Sequence, residues 1–278
     1  GDLPGLEDTS SDLVGQLIEE GGKFFSEELA PTNWDADQAA CTLENGVVRT
    51  YEKFPELYRS YRETGWIGAA YDAEIGGMGL PWAVNAAGQE MLFAANMSFS
   101  LCPLLSQGAI ETIEAHGSPE QRATFLERMV SGEWTGTMNL TEPHAGSDVG
   151  ALKSRAEPQP DGTYRIFGQK IYITFGEHDL AENIVHLVLA RTPDAPAGTK
   201  GISLFIVPKF LVNEDGSLGA RNDAKCIKLE EKLGIHASPT CVMQYGDDGG
   251  AVGYLIGPEN GGMSCMFTMM NNARLSVG

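Results

Sequence analysis

Two short stretches carry most of the chemistry that can be read from this chain, LTEPHAGSD at 140–148 and GQKIYITFG at 168–176. In the first, Pro143 removes a backbone donor and fixes the chain. Ala145-Gly146 then lets a ligand approach the backbone with no side chain in the way. Ser147 and Asp148 add exposed donors and acceptors. In the second, Ile166, Gly168, Lys170, Tyr172 and Thr174 alternate with Phe167, Gln169, Ile171 and Ile173, the period of a strand with two unlike faces. One face can carry Tyr172 and Thr174 together. Hydroxyls, glycines and an aromatic ring are thus gathered around one candidate ligand site.

Metal chemistry is not indicated. The five cysteines, Cys41, Cys102, Cys226, Cys241 and Cys265, show no CxxC spacing and no cluster with histidine. Their odd, scattered placement fits reduced thiols and a cytoplasmic setting. The formal charge of −19, with a pI near 4.5, argues against nucleic acid or an anionic membrane as the main partner, because both repel an acidic surface. An anionic ligand would need its own local cations and amide donors. With 278 residues, 42% of them hydrophobic, the chain has the size and composition of a soluble globular protein of about two domains. Charge, glycine or proline interrupts every apolar stretch well before the roughly 20 residues of a membrane span, and no signal peptide is read.

The elements that must position the two stretches fall into two halves. Residues 1–133 read as a helical domain. Thr9 to Asp12 offer capping oxygens to a helix whose apolar face runs from Leu13 to Leu29, with Gly21-Gly22 as a bend or weak point. Phe54 to Tyr61 is a short amphipathic helix opened by Pro55 and closed by Gly65. Trp82 to Phe99, nearly apolar with Glu90 as its one charge, predicts a single helix buried between neighbours, with Glu90 paired. Ser118-Pro119-Glu120-Gln121 is a capped helix start. After Glu133 the period changes to that of strands. Thr135–Leu140, the runs on either side of the Asp161-Gly162 hairpin signal, Asn183–Arg191, Ile202–Val207, Thr240–Tyr245 and Ala251–Ile256 make residues 134–262 a mostly antiparallel β-barrel or sandwich. Residues 263–278 turn helical again. The fold class is therefore α+β and multidomain.

Together the two stretches, in this order and separation, resemble the flavin-binding middle domain of the acyl-CoA dehydrogenase family. GWIGAAYDAEIGGMGL (65–80), HGSPEQRATFLERMVSGEW (116–134), KLGIHASPT (232–240) and LIGPENGGM (255–263) resemble further family segments, so the likeness covers nearly the whole chain. The resemblance implies FAD as cofactor and α,β-dehydrogenation of an acyl-CoA thioester to the trans-2-enoyl-CoA. A base takes the α-proton while the β-hydrogen leaves as hydride to the flavin. It also implies transfer of electrons to an electron-transfer flavoprotein, and a homodimer or homotetramer formed through a C-terminal helical bundle that begins at residues 263–278.

By the same resemblance Thr141 and Thr174 offer hydroxyls to the isoalloxazine, and Met138 and Leu140 offer backbone groups or apolar contact. Gly146 and Ser147 face the ribityl-pyrophosphate or, for Ser147, the pantetheine of the substrate. Tyr172 stands where the family usually has tryptophan against the flavin, and a smaller aromatic can still stack. A Phe-Asp-x-x-Arg pattern that meets CoA reads here Met270-Asn271-Asn272-Ala273-Arg274. Arg274 is kept, and Asn271 keeps hydrogen bonding without the charge. No catalytic residue is assigned: Ala273 occupies the position where some branches carry their glutamate, so the base is expected beyond Gly278. Glu142 reads as structural, His144 as an exposed turn residue, His186 as a packed or surface residue within a strand, and Asp148 as a brace for its turn. An acyl pocket is expected along Met91, Phe93 and Met97, with Leu101 and Leu104. The MNNAR ending resembles the larger bacterial branch that includes the 3-methylmercaptopropionyl-CoA dehydrogenases. An oxidase on the same scaffold, and a catalytically idle flavoprotein or binding module, are the alternatives.

Overall fold

The computed structural model describes residues 9–278. Helix α1 (Ser11–Lys23) opens on Ser10, whose hydroxyl accepts the Leu13 N–H at 3.1 Å. It continues through a π-helical turn (Phe24–Leu29) and a 3-10 turn (Ala30–Thr32) into α2 (Asn33–Ala39). Gly21-Gly22, expected as a bend, lies inside unbroken helix. A Cβ on Gly21 would stand 2.7 Å from Trp66 Nε1, so that glycine makes room for a buried indole. A small hairpin, β1 (Thr42–Glu44) and β2 (Val47–Arg49), turns through Asn45-Gly46 with φ of 52° and 79°. Its strands are too short for a periodicity reading, although the Asn-Gly signal is present.

Helix α3 (Phe54–Glu63) ends where Gly65 takes φ 76°. The run expected as one buried helix is two. Helix α4 (Trp82–Ala95) stops at Asn96, whose side chain accepts the Phe99 N–H at 3.1 Å and so caps α5 (Met97–His116). Nor is α4 buried all round: Trp82, Ala83, Ala86 and Glu90 are exposed, and Glu90 has no ion pair among the described residues. Helix α6 (Pro119–Val130) carries the expected capping box. Ser118 Oγ accepts the Gln121 N–H at 3.2 Å, and Gln121 Oε1 accepts the Ser118 N–H at 3.0 Å.

The sheet half contains β3 (Trp134–Asn139), β4 (Arg155–Pro158), β5 (Tyr164–Thr174), β6 (Asn183–Ala190), β7 (Ser203–Pro208), β8 (Phe210–Val212), β9 (Leu218–Arg221), β10 (Ala224–Leu229), β11 (Thr240–Tyr245) and β12 (Ala251–Ile256), followed by α7 (Gly262–Val277). The main sheet runs β10-β11-β5-β12-β7-β6-β3, with β4 on β5. Only β3–β6 is parallel among the described pairs. Strands β8 to β10 were not expected from the sequence; β8 is a three-residue apolar strand, and β9 and β10 mix polar with apolar residues and are partly exposed.

Three apolar clusters hold this together. Phe25, Phe54, Tyr58, Tyr61, Trp66 and Phe99 fill the helical half. Ile110, Ile113, Met129, Trp134, Leu187 and Met269 join α5, α6 and α7 to one face of the sheet. Ile166, Ile173, Val188, Phe205, Met243 and Tyr245 fill its opposite side. At about 1.5–3 kcal/mol for each fully buried large side chain, these clusters are the main cohesive term. The 140–148 stretch follows β3, and its Leu140 and Ala145 pack with the second of these clusters.

Candidate flavin site

Strand β3 delivers Leu140 and Thr141 to a tight turn in which Glu142 and Ala145 exchange N–H···O bonds, each 3.0 Å. The Glu142 carboxylate points inward. Oε2 accepts the Lys153 N–H at 2.7 Å, and Oε1 accepts the Ser154 N–H at 3.0 Å and Lys170 Nζ at 2.8 Å. Lys170 Nζ also donates to the Leu140 carbonyl at 3.0 Å, and the Ile171 N–H donates to the Thr141 carbonyl at 2.9 Å. Residues far apart in sequence are thereby fixed side by side.

The ionisation of the pair follows from its surroundings. Burial works to raise Glu142, but the Lys170 charge and the N–H donors of Lys153 and Ser154 hold its carboxyl below the usual range. Burial pushes the Lys170 ammonium down to about 8, against the pull of Glu142. Both remain charged at neutral pH, and Glu142 is structural as expected.

The alternation expected along β5 breaks next to this pair. Cys241 pairs with Ile173 and Met243 with Lys170, so Val242 alone spans Ile171 and Tyr172. This is a β-bulge, and it puts Tyr172 at φ 59°. Lys170 and Ile173 are both buried while Tyr172 is 61% exposed. A large ring held outward on a left-handed backbone costs free energy unless something covers it. Beside it Thr141 and Thr174 are half-buried, and Gly146 and Ser147 are exposed. A Cβ on Gly146 would meet only Thr141 Cγ2, at 3.5 Å, so the turn backbone is open to a ligand. Met138 and Leu140 are partly buried against the cluster that includes α5. An exposed ring, three hydroxyls and an open glycine turn suit a flat, hydrogen-bonding heteroaromatic ring with a polar tail.

The remaining expectations divide. His144 is exposed, with Nε2 3.2 Å from the Ala151 carbonyl. Asp148 makes no side-chain capping bond to the 3-10 turn that follows it. Asn271 and Arg274 lie on the exposed side of α7, the Arg274 guanidinium 5.6 Å from the centre of the Phe267 ring. Neither hydrogen-bonds to the 140–148 turn among the described residues. A cavity of about 890 Å³ separates α4, α5 and α7, and Phe93, Met97 and Asn271 line it. The other residues expected in the pocket go elsewhere. Met91 and Leu101 pack on the helical-half cluster, and Leu104 is buried in the cluster between helices and sheet. Apolar periodicity marks a buried face without saying which neighbour covers it.

Sequence reasoning also missed Glu111 and the burial of His178, whereas His186, read as a packed or surface residue within a strand, is packed. Glu111, in the same cavity, accepts a bond from Asn272 and is pushed up by burial to about 7. His178 and His186 are fully buried, and burial drives both imidazoles down, His186 to about 3. The sequence signal was available for His186, which lies within the apolar strand β6 where an imidazole needs a partner, but not for His178 in the polar loop between β5 and β6. No group of three histidine, cysteine or acidic side chains is placed to hold a metal among the described residues, and no described helix is long and apolar enough to cross a membrane.

A helical half followed by a mostly antiparallel sheet is the fold class of the acyl-CoA dehydrogenases, and the open 140–148 turn lies after β3 within the sheet half. Residues 15–133 match the acyl-CoA dehydrogenase N-terminal domain and residues 137–247 the acyl-CoA dehydrogenase middle domain. The chain belongs to the acyl-CoA dehydrogenase family. It is 52% identical over 261 residues to 3-methylmercaptopropionyl-CoA dehydrogenase of Ruegeria pomeroyi, a match that covers 94% of this chain and 44% of that protein. Butyryl-CoA dehydrogenase of Megasphaera elsdenii superposes with a TM-score of 0.76 at 25% identity, over 97% of this chain and 64% of that one. The acyl-CoA dehydrogenase of Bacillus anthracis, solved in complex with FAD, has the same fold with a TM-score of 0.77 at 24% identity, over 98% of this chain and 42% of that one. This chain thus spans less than half the length of its Ruegeria pomeroyi relative.

Proposed function

We propose that this chain is the N-terminal and middle-domain portion (residues 1–133 and 134–262) of an FAD-dependent acyl-CoA dehydrogenase. It forms a trans-2-enoyl-CoA from a saturated acyl-CoA, with 3-methylmercaptopropionyl-CoA as the leading substrate. The observation that carries this reading is the exposed Tyr172 on a bulged backbone beside Thr141, tied to the LTEPHAGSD turn by the Ile171-to-Thr141 hydrogen bond of 2.9 Å. When bound, FAD would supply the hydride acceptor. The chain's own work is to bind and orient. Tyr172, Thr141, Thr174, Met138 and Leu140 would hold the flavin ring, and Gly146 and Ser147 would receive its polar tail. Asn271 and Arg274 receive the CoA arm. The proton-abstracting base lies outside residues 1–278. Electrons pass to an electron-transfer flavoprotein, and the protein works as a cytoplasmic homo-oligomer in acyl-CoA breakdown, as in fatty acid metabolism.

Anaerobic mixing of the flavin-loaded, full-length protein with 3-methylmercaptopropionyl-CoA and butyryl-CoA tests the reading. Bleaching of the flavin absorbance supports it, and a preference between the two substrates assigns the acyl group. Absence of bleaching with either would sink it. Rapid reoxidation by air would convert the dehydrogenase reading to an oxidase.

A further inference from the structure

One face of β3 is polar although it is fully buried. Thr135, Thr137 and Asn139 alternate along it, each with 0% exposure, and Thr141 continues the same row by strand period. Every member meets a ring or amide from another segment. Thr135 Oγ1 lies 2.9 Å from His178 Nε2, and Thr137 Oγ1 lies 2.7 Å from His186 Nδ1. Asn139 Nδ2 donates to Thr137 Oγ1 at 2.8 Å, and Tyr245 OH donates to Asn139 Oδ1 at 2.8 Å. His178 Nδ1 accepts the Leu180 N–H at 3.1 Å. Its proton is therefore on Nε2 and is donated to Thr135. Edge-on, the His186 ring also packs on Tyr245, with centroids 6.0 Å apart.

The place where this ladder ends gives it a function. Tyr245 closes β11 and pairs with Gly168 of β5, the strand that carries Tyr172 and Thr174. Asn139 is the last residue of β3, two positions before Thr141. The Asn139–Tyr245 bond therefore joins the strand bearing one ligand hydroxyl to the ribbon bearing the other. Apolar side chains would fill the same volume at less desolvation cost, but they tolerate sliding. A buried hydrogen bond has one length and one direction, and it fixes register.

We infer that Tyr245 and Asn139 are positioning residues for the flavin: their bond sets the separation and relative rotation of Thr141 and Thr174, and Thr137 and His186 hold Asn139 in its donor–acceptor orientation. This rests on the flavin reading above. The ligand class is a flavin, and neither residue touches it.

The test uses full-length protein stripped of flavin and titrated with FAD, reading affinity by fluorescence and ring environment by visible circular dichroism. Tyr245→Phe leaves a buried carbonyl oxygen of Asn139 unsatisfied and lowers Tm. Adding Asn139→Leu removes both partners and restores Tm. The expected result is that FAD binding stays about tenfold weaker in both variants, the scale of one hydrogen bond's net contribution, with an altered visible spectrum. Thr135→Val, at the far end of the row, supplies a match in Tm if the double variant does not regain stability, and it keeps normal FAD affinity. Recovery of affinity and spectrum together with Tm, or equal weakening by Thr135→Val, overturns the inference. Failure of the unmutated protein to bind FAD instead sinks the flavin reading itself.

Discussion

Glu142 and Lys170 meet at 2.8 Å with their side chains 3% and 0% exposed. One belongs to the turn after β3 and the other to β5. Lys170 also donates to Leu140, so a single ammonium fixes both the turn and the strand end that leads into it.

Removal of one partner of that pair should be costly. Lys170→Met leaves the Glu142 carboxylate buried with only its N–H donors, and a loss of about 3–5 kcal/mol is expected on the scale of broken buried ion pairs. Glu142→Gln keeps an acceptor for the Lys153 or Ser154 N–H and should cost less than Glu142→Leu. Urea unfolding at constant slope measures all three. A loss below about 1 kcal/mol for Lys170→Met, the range of surface pairs, would mean that the pair is solvated.

Tyr172 should behave in the opposite way. Its ring is 61% exposed and its backbone is left-handed, so little packing is lost on truncation. Tyr172→Gly relieves the positive φ and should leave stability within about 1 kcal/mol of the parent, or raise it. FAD affinity should nevertheless fall, and titration of the flavin-free variant reads this directly. Unchanged affinity would remove Tyr172 from the site.

Acid should weaken the fold before the carboxylates titrate. Burial, with Lys209 and His186 adding to it, depresses His178; burial, with Lys209 and Arg221 adding to it, depresses His186 to about 3. An unfolded histidine titrates near 6.5, so below that pH the unfolded chain binds more protons than the folded one. The contribution of His186 is complete above pH 6.5 and is lost as pH falls toward 3, amounting to about 2 kcal/mol by pH 5. Glu142, with a depressed carboxyl, adds a loss only at lower pH. Melting curves at pH 7, 6 and 5 should show the early loss, and His186→Asn should flatten it. An unchanged slope in that variant would refute the assignment.

Two glycines of α1 should respond with opposite sign to the same substitution. A Cβ at Gly15 has nothing within 4 Å, so Gly15→Ala should stabilise by about 0.5–1 kcal/mol through helix propensity. At Gly21 the Cβ would press on Trp66, and Gly21→Ala should destabilise by about 1–3 kcal/mol. Thermal melts of both variants, with Trp66 fluorescence as a local reporter, make the comparison. Stabilisation by Gly21→Ala would show that the indole is free to move.

Features settled within a few residues were legible in the chain. The capping box at Ser118 and Gln121, the Asp161-Gly162 hairpin and the start of β3 each depend on local backbone geometry that local residues dictate. The break at Asn96 was also local, an Asn cap hidden by the apolar residues on both sides. The bulge at Tyr172 was not. A period of two runs straight through LTEPHAGSD's partner strand, and only pairing with β11 reveals the extra residue.

By itself the sequence determined the division into a helical half and a strand half, the capped and hairpin-marked elements within them and the family to which the chain belongs, because periodicity, caps and short motifs are properties of neighbours along the chain. Tertiary structure alone decided that Lys170 turns inward to Glu142 while Tyr172, two residues on, turns outward, and that Tyr245 reaches Asn139 across 106 positions. The physical reason is that a buried charge or hydroxyl is stable only with its partner. That partner is supplied by the meeting of strands, and no local pattern encodes it.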